Sequence, residues 1–414
     1  MVLAGLAACA SQNGDDVSDA STTIHDPIAP LLESARLIVC CGPGGVGKTT
    51  TAAALGLRGV LMGRKVIVLT IDPAKRLANS LGLSELSNTP QQIDLRENLE
   101  QVPDSLGDGE FWAMMLDQKK TLDDLVRKYA PDPGALERAE NNNIYRLLSS
   151  TLHGMQEYMA LDKLHDLYTG GYFDLVVLDT PPTKNALEFL ETPSRAKTFF
   201  DERIIKWFLP NRRAGFFGRV LDPGSIVLKL LGRIFGETFV TELTEFFETL
   251  EFLQQALQSR GEMIDYIMRD QQTHFFVITS ADPRRMKEAL FFHEKLAELG
   301  QRAEAFIINR VIPPFNPDDL QKVDADAIAG LAKNAQGLDS IDRAQFDALR
   351  KDLASTYKML ARLAVRDQDA IEDLSKKLGA GALRRVPLLG QDVHSIEQLV
   401  SLSEFLTPSK PVYA

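Results

Sequence analysis

Short runs of consecutive apolar residues recur along the chain and are separated by longer segments with helical spacing. Runs rich in Val, Ile and Leu predict six β-strands: Arg36–Cys41, Val66–Ile71, Phe173–Asp179, Phe275–Ser280, Ala305–Asn309 and Leu383–Leu388. Because these runs are continuous rather than alternating, each strand is expected to be buried on both faces. Strands that alternate with helices predict an α/β fold with a mainly parallel sheet flanked by helices.

Two long helical insertions interrupt this alternation, at about residues 185–260 and 317–379. The second carries apolar residues at helical spacing, which predict an amphipathic helix: Phe346, Leu349, Leu353, Leu360 and Leu363. The first carries a similar stripe: Phe239, Leu243, Phe246, Leu250, Leu253 and Leu257. Such stripes are typical of helices packed on themselves or on the sheet. The stripe of the first insertion is equally typical of a groove that holds an apolar segment of a partner.

The segment 195–233, within the first insertion, interleaves basic residues with aromatic ones such as Trp207, Phe216 and Phe217. Its simplest interpretation is part of a packed helical subdomain. A second interpretation is a contact with a membrane surface, because basic and aromatic side chains together favour the lipid interface.

Composition fits one large α/β domain with insertions, or two smaller domains. The chain has 414 residues, of which 44% are hydrophobic, enough to form a substantial core. We predict a disordered tail over residues 1–30 and one folded domain over 31–414. The formal net charge of −11 argues against non-specific binding to nucleic acid, which needs a basic surface.

The cysteines fit a reducing, cytoplasmic setting, and the N-terminus is ambiguous. The three cysteines are Cys9, Cys40 and Cys41, and they contain no CxxC pair, so neither a disulfide framework nor a zinc site is predicted. No apolar stretch reaches the roughly 18 residues that a spanning helix needs. Residues 6–9 resemble a lipoprotein cleavage box. A signal peptide would require a Lys or Arg before them, and none is present.

Residues 42–49 match the phosphate-binding loop pattern G-x-x-x-x-G-K-[ST], with the sequence GPGGVGKT. The match follows the first predicted strand directly and precedes a helical run, which is the context that the motif requires. Glycines let backbone N–H groups surround phosphates, and the helix N-terminus adds favourable partial positive charge. Lys48 is expected to reach the β- and γ-phosphates, and the Thr49 hydroxyl to bind Mg²⁺.

Two carboxylates follow other predicted strands. Asp179 ends the third strand and precedes Thr180, at the sheet edge where it could hold the Mg²⁺ shell. Asp72 follows the second strand and precedes a proline, a pattern that is also typical of a plain turn. Its alternative role is to orient the attacking water, as hydrolytic enzymes with this loop require.

Five segments, in this order, resemble the ArsA-like ATPases: GPGGVGKTTTAAALG, TIDPAKRLANSLG, YFDLVVLDTPPTKNALEFL, IINRV and VPLL. That family includes bacterial arsenite-pump ATPases and the eukaryotic ATPase that targets tail-anchored membrane proteins. The resemblance extends from about Leu37 to Leu406. It implies a P-loop NTPase fold, ATP hydrolysis with Mg²⁺ and a homodimer.

The resemblance also implies roles for individual residues. Asp72 lies in the switch I segment and positions or activates the water, so it joins Lys48 as a catalytic residue. Asp179 opens switch II and holds Mg²⁺ through the water shell. Asn309 is similar to an adenine-reading Asn, and Pro387 lies in a segment that lines the nucleotide pocket. The phosphates are held by Gly44, Gly45, Val46, Gly47, Lys48, Thr49 and Thr50.

Three features depart from the family pattern. Pro43 stands where the family has a second loop lysine, which normally crosses a dimer interface. No cysteine follows Cys41, so the chain lacks the family's metal-binding thiolates and its dimer-bridging zinc pair. One P-loop is present rather than the tandem pair of arsenite pumps, and a homodimer would supply the second.

Three functions are therefore compatible with the sequence. The first is a homodimeric ATPase that captures and releases a protein partner through a hydrophobic, membrane-derived segment. The second is the energy subunit of an anion or metalloid efflux pump, which the missing thiolates disfavour. The third is a positioning switch of the MinD/ParA kind, which the long helical insertions fit poorly. We expect a cytoplasmic protein without a nucleic-acid partner, with peripheral membrane contact as a further option.

Overall fold

The structure is a computed structural model. It describes residues 28–72, 74–99, 106–129, 132, 134–151, 155–181, 223–314, 343–378 and 383–407. Nearly all of the predicted tail and most of the basic aromatic segment 195–233 lie outside the described residues. The predicted tail and the limits of both insertions stay predictions, although the first described helix already begins at Ala29.

Eight strands form one sheet in the described part of the chain, in the order β3–β4–β2–β5–β1–β6–β7–β8. Their bounds are β1 Leu37–Cys41, β2 Lys65–Thr70, β3 Gln91–Ile93, β4 Glu110–Met115, β5 Leu175–Asp179, β6 Thr273–Ser280, β7 Ala303–Val311 and β8 Leu383–Pro387. All pairings are parallel except that of β3 with β4 at one edge. The predicted α/β class with a mainly parallel sheet is confirmed, and β3 and β4 are additions to the six predicted strands.

The described helices lie on both faces of this sheet. Their bounds are α1 Ala29–Ser34, α2 Lys48–Val60, α3 Arg76–Ser80, α4 Leu95–Asn98, α5 Gln118–Tyr129, α6 Ala135–Asn141, α7 Asn143–Thr151, α8 Met155–Thr169, α9 Pro223–Phe235, α10 Glu237–Met268, α11 Pro283–Glu298, α12 Arg343–Leu378 and α13 Ile396–Leu406. None of the described helices is both long enough and apolar enough to cross a membrane.

The core has two layers, one on each face of the sheet. Along β1, Leu37 and Val39 pack into the layer that contains residues of α5, α8, α10 and α11. Ile38 and Cys40 pack into the opposite layer, against α2 and α13. All five residues of β1 are buried, as the continuous apolar run predicted. Burying such a side chain stabilises a fold by roughly 1.5–3 kcal/mol relative to leaving it exposed.

The apolar stripe of the first insertion lies on α10. Phe246 is only 7% exposed and belongs to the core layer under α5 and α8, whereas Phe239 and Leu243 are half-buried. Phe246 is therefore covered in this structure, where α10 packs against α5, α7 and α8. A groove along the stripe stays a prediction. The side chains of the remaining leucines of the stripe lie outside the described residues.

Helix α9 differs from α10 in that three of its described apolar side chains remain open to solvent. It packs against the first turns of α10, where the Phe235 and Phe239 rings lie 5.1 Å apart. Leu230, Ile234 and Phe235 are each more than half exposed. An exposed apolar group of this kind on a folded protein commonly marks a binding surface. We call these three side chains the α9 patch.

The predicted amphipathic helix of the second insertion is α12. Its second half docks on the protein through Ala364, Ile371 and Leu374, which are buried. Met359 and Val365 are 56% and 62% exposed, on the same helix. Packing of this insertion on the body is thus confirmed for its C-terminal half.

Candidate active site

The sheet order brings three predicted site segments to one edge. β5 lies between β1 and β2, and Asp179 is in register with both Cys40 and Thr70. The phosphate-binding loop follows β1, and Asp72 follows β2. Because these strands are parallel, their carboxyl ends meet at the same edge, where open α/β sheets bind ligands.

The loop between β1 and α2 takes its shape from glycines at both ends. Gly42 has φ 142° and Gly47 has φ 87°. Residues with a Cβ rarely adopt these backbone conformations. A Cβ on Gly42 would overlap the Ile278 carbonyl oxygen, and one on Gly47 would overlap the Asn309 amide. The backbone can therefore follow this path only where neither position carries a side chain.

Lys48 and Thr49 begin α2, and both are buried, at 8% and 7% exposure. The Lys48 ammonium donates a hydrogen bond to the Pro43 carbonyl, at 3.0 Å. Burial lowers the pKa of Lys48, while the nearby Asp179 and Asp72 charges raise it and Arg76 lowers it further. The Lys48 side chain thus lies against its own loop. It is beside the first turn of α2, whose free N–H groups favour anions.

Asp179 is fully buried at the end of β5. Its Oδ2 accepts a hydrogen bond of 2.9 Å from the Thr70 hydroxyl. Burial raises the pKa of Asp179 to about 6, although the Thr49 hydroxyl, the Lys48 charge and Thr70 act in the opposite direction. Its Oδ1 is also buried and has no hydrogen-bond partner among the described residues.

Thr49 and Asp179 supply oxygen atoms that suit Mg²⁺ as ligands. An unpartnered buried carboxylate oxygen costs free energy unless a cation or a water shell satisfies it, and Asp179 Oδ1 is such an atom. Mg²⁺ prefers hard oxygen ligands and is commonly held by one or two protein groups together with substrate phosphates. The Thr49 hydroxyl and the Asp179 carboxylate therefore fit this ion, at a site where the described residues show no cluster of three or more metal-binding side chains.

Asp72 is held by its neighbours in the segment that follows β2. Its Oδ1 accepts a hydrogen bond from the Ala74 N–H at 3.0 Å, and its Oδ2 pairs with the Arg76 guanidinium at 3.3 Å. The Asp72 side chain is 20% exposed, so solvent can reach it. A partly exposed carboxylate beside the loop has the access that a water-orienting residue needs.

Asn309 lies against the phosphate-binding loop near the end of β7. Its amide donates a hydrogen bond of 2.9 Å to the Val46 carbonyl, and its side-chain oxygen accepts one from the Arg310 N–H. Arg310 has a positive φ of 58°. In this structure Asn309 fastens the loop to the sheet, and its role in reading adenine stays a prediction.

Pro387 lies beside this segment, because it is in register with Val311 at the ends of β8 and β7. The structure thus brings every predicted site residue to the carboxyl ends of the parallel strands.

Two residues that contact the site were missed by the sequence reasoning, Thr70 and Arg76. Thr70 had no local signal, since its partner is distant in the chain, whereas the basic pair that follows Asp72 and Ala74 could have drawn attention to Arg76.

Gly42→Ala is expected to lower ATP affinity by about 10-fold or more and to destabilise the protein, because the new Cβ would displace the loop from the Ile278 carbonyl. Gly63→Ala is the matched control. Gly63 also has a positive φ, of 82°, but no atom lies within 4 Å of a Cβ built there. ATP titration and thermal unfolding of both variants check this. Equal ATP affinity and equal melting temperatures for the two variants would contradict the steric argument.

Comparison with known proteins decides the family. The model of the anion-transporting ATPase family matches residues 35–328, which include the loop, both carboxylates and Asn309. This chain belongs to the anion-transporting ATPase family. The ArsA-like resemblance is thereby confirmed, as are the P-loop NTPase fold and the assignment as an ATP hydrolase.

Curated relatives of this family member are ATPases with two kinds of name. Two proteins of Aquifex aeolicus (strain VF5) are named as arsenical pump-driving ATPases. The first is 24% identical over 287 residues, which cover 67% of this chain and 64% of that protein. The second is 25% identical over 291 residues, which cover 69% and 82%. ATPase GET3 of Malassezia globosa is 23% identical over 300 residues, which cover 71% and 80%. The chain therefore aligns with less than two thirds of the first of these relatives.

Proposed function

We propose that this ATPase uses Mg-dependent ATP hydrolysis to capture and release a protein partner that presents an apolar segment. The observation that carries the proposal is the α9 patch, where Leu230, Ile234 and Phe235 are exposed at 56%, 63% and 61%. Exposed apolar side chains gathered on one helix are the feature that a helix-binding surface requires.

The chemistry of the site follows from its own side chains. Lys48 leaves the Pro43 carbonyl and contacts the β- and γ-phosphates, and the loop N–H groups bind the same oxygens. Thr49 and Asp179 would hold Mg²⁺, which neutralises charge between the two phosphates when it is bound. Asp72 orients the attacking water and accepts its proton.

A series of contacts connects this site to the α9 patch. β5, which ends in Asp179, is preceded by α8, and Asp162 and Asp166 of α8 pair with Arg260 of α10. Arg260 and Asp162 are both buried, and a buried ion pair loses much of its stability when the two partners separate. We propose that a shift of β5 is transmitted through α8 and α10 to α9.

We propose a homodimer, because one chain carries one P-loop and its relatives named GET3 belong to the same family.

A second candidate function is the driving subunit of an arsenical pump, which the names of the Aquifex relatives favour. The described thiols fit this less well. Cys40 and Cys41 are fully buried in β1, and burial raises the pKa of both thiols. Soft metalloid binding requires accessible thiolate.

The double variant Ile234→Ser/Phe235→Ser is expected to weaken binding of an apolar helical peptide by about 10-fold or more, since it removes two large apolar contacts. Basal ATP turnover should stay within about twofold, because neither residue belongs to the candidate active site. Substitutions at exposed positions of this kind usually change the free energy of unfolding by less than about 0.5 kcal/mol. Fluorescence anisotropy of a labelled peptide of about 20 apolar residues, together with thermal unfolding, measures both effects.

The matched control is Met359→Ser/Val365→Ser, which removes exposed apolar side chains from α12. This control should bind the peptide as the parent does. Equal peptide affinity for the α9 variant and the parent would refute the α9 patch as the binding surface. Stimulation of turnover by arsenite, with no effect of the peptide, would instead favour the pump-driving function.

A further inference from the structure

Arg76 lies on the nucleotide side of α3. Ser80 follows it by one helical turn and is only 4% exposed. The Ser80 hydroxyl is 3.3 Å from the Thr50 hydroxyl of α2. Because residues four apart share one face of a helix, Arg76 projects from the face of α3 that packs against the helix of the phosphate-binding loop.

The charges around Arg76 belong to the same site. Its guanidinium pairs with Asp72 Oδ2 at 3.3 Å. The Arg76 side chain is 61% exposed, so the ion pair with Asp72 is well solvated. Exposed pairs of this kind are weak and exchange readily for a more highly charged partner.

We propose that Arg76 is a further catalytic residue, whose guanidinium leaves Asp72 when ATP binds and contacts the γ-phosphate during hydrolysis. The proposal rests on the proposed function, in which Asp72 orients the water. A phosphoryl group carries more negative charge than a single carboxylate, and a planar guanidinium can donate two hydrogen bonds to it. The same movement frees Asp72 Oδ2 for the attacking water, so binding and activation would occur together.

The step that Arg76 assists is the displacement at the γ-phosphorus. The water oxygen forms a bond to that phosphorus as the bond between the phosphorus and the β–γ bridging oxygen breaks. The electrons of the broken bond stay on ADP, and one water proton passes to Asp72 and then to solvent. Arg76 stabilises the charge on the phosphoryl oxygens, which is the role that arginine side chains have in other phosphate-transferring enzymes.

The experiment compares Arg76→Ala, Arg76→Lys and the control Lys75→Ala, with no peptide present. Lys75 is the neighbouring exposed cation, and it has no ion pair among the described residues. We expect kcat of Arg76→Ala to fall by about 10²-fold or more, with ATP affinity within a few-fold of the parent. Arg76→Lys should retain an intermediate rate, and millimolar guanidinium should partly restore Arg76→Ala. Lys75→Ala should match the parent.

Other results would overturn the inference. A kcat of Arg76→Ala equal to or above that of the parent would mean that the ion pair only restrains Asp72. Loss of rate without rescue by Lys or by guanidinium, together with a lower melting temperature, would assign Arg76 a structural role. A parent without ATP turnover would refute the proposed function itself, whereas a parent with normal turnover and an unaffected Arg76→Ala would refute this inference alone.

Discussion

Lys48→Ala should abolish ATP turnover or reduce kcat/KM by about 10²-fold or more, because it removes the cation that contacts the β- and γ-phosphates. Lys48 carries the buried ammonium at the start of α2, which donates a hydrogen bond to the Pro43 carbonyl of its own loop. The fold should survive, since the variant removes a buried charge rather than core packing. ATP titration and steady-state turnover, with thermal unfolding on the same preparation, measure this.

Lys287→Ala is a suitable control for Lys48→Ala, because Lys287 is an exposed lysine on α11. That control should bind and hydrolyse ATP like the parent. Should Lys48→Ala bind and hydrolyse Mg-ATP at the parental rate, the assignment of residues 42–49 as the phosphate site would be wrong.

Asp72→Asn should lower kcat by about 10²-fold or more while ATP affinity stays within a few-fold, as expected when a water-orienting carboxylate is lost. Asn has nearly the same size and can still accept the hydrogen bond from the Ala74 N–H. The ion pair with Arg76 disappears, but it is solvated and contributes little to stability. Single-turnover hydrolysis with saturating ATP separates this loss of rate from any change in binding.

A carboxylate at the opposite edge of the sheet provides the comparison for Asp72→Asn. Asp174 precedes β5 and accepts a hydrogen bond from the Lys65 N–H, at the amino end of the parallel strands. Asp174→Asn should hydrolyse ATP like the parent. Unchanged turnover in Asp72→Asn would move the water-orienting role to another residue and would also remove the basis for Arg76.

The strands around the phosphate-binding loop could be predicted because their signals are local. β1 is a continuous apolar run followed at once by the loop pattern, so strand, loop and helix were all visible in one stretch of sequence. β4 begins with Glu110 and includes the half-buried Trp112, and β3 has only three residues. Pairing with strands distant in the sequence stabilises both of these strands, and their own composition does not reveal it.

The same difference between local and distant signals applies to the site. Lys48 and Thr49 belong to one motif, but the hydrogen bond from Thr70 to Asp179 joins residues 109 positions apart. It depends on β2 and β5 being neighbours, which the sequence pattern does not determine. The apolar stripe of α10 was ambiguous for a related reason, because helical spacing identifies an apolar face without showing whether that face is covered. Phe246 is covered, and the neighbouring helix α9 carries the exposed side chains instead.

Coupling between the nucleotide site and the α9 patch is tested most directly by the affinity of one labelled apolar peptide for two states of the protein. The first state is Asp72→Asn held with Mg-ATP, and the second is the parent with Mg-ADP. A nucleotide can drive capture and release only if the peptide binds the two states with different free energies. We predict dissociation constants that differ by about 10-fold or more, and that the difference disappears in Ile234→Ser/Phe235→Ser. Equal dissociation constants in the two states would contradict coupled capture and leave an ATPase whose hydrolysis serves another process.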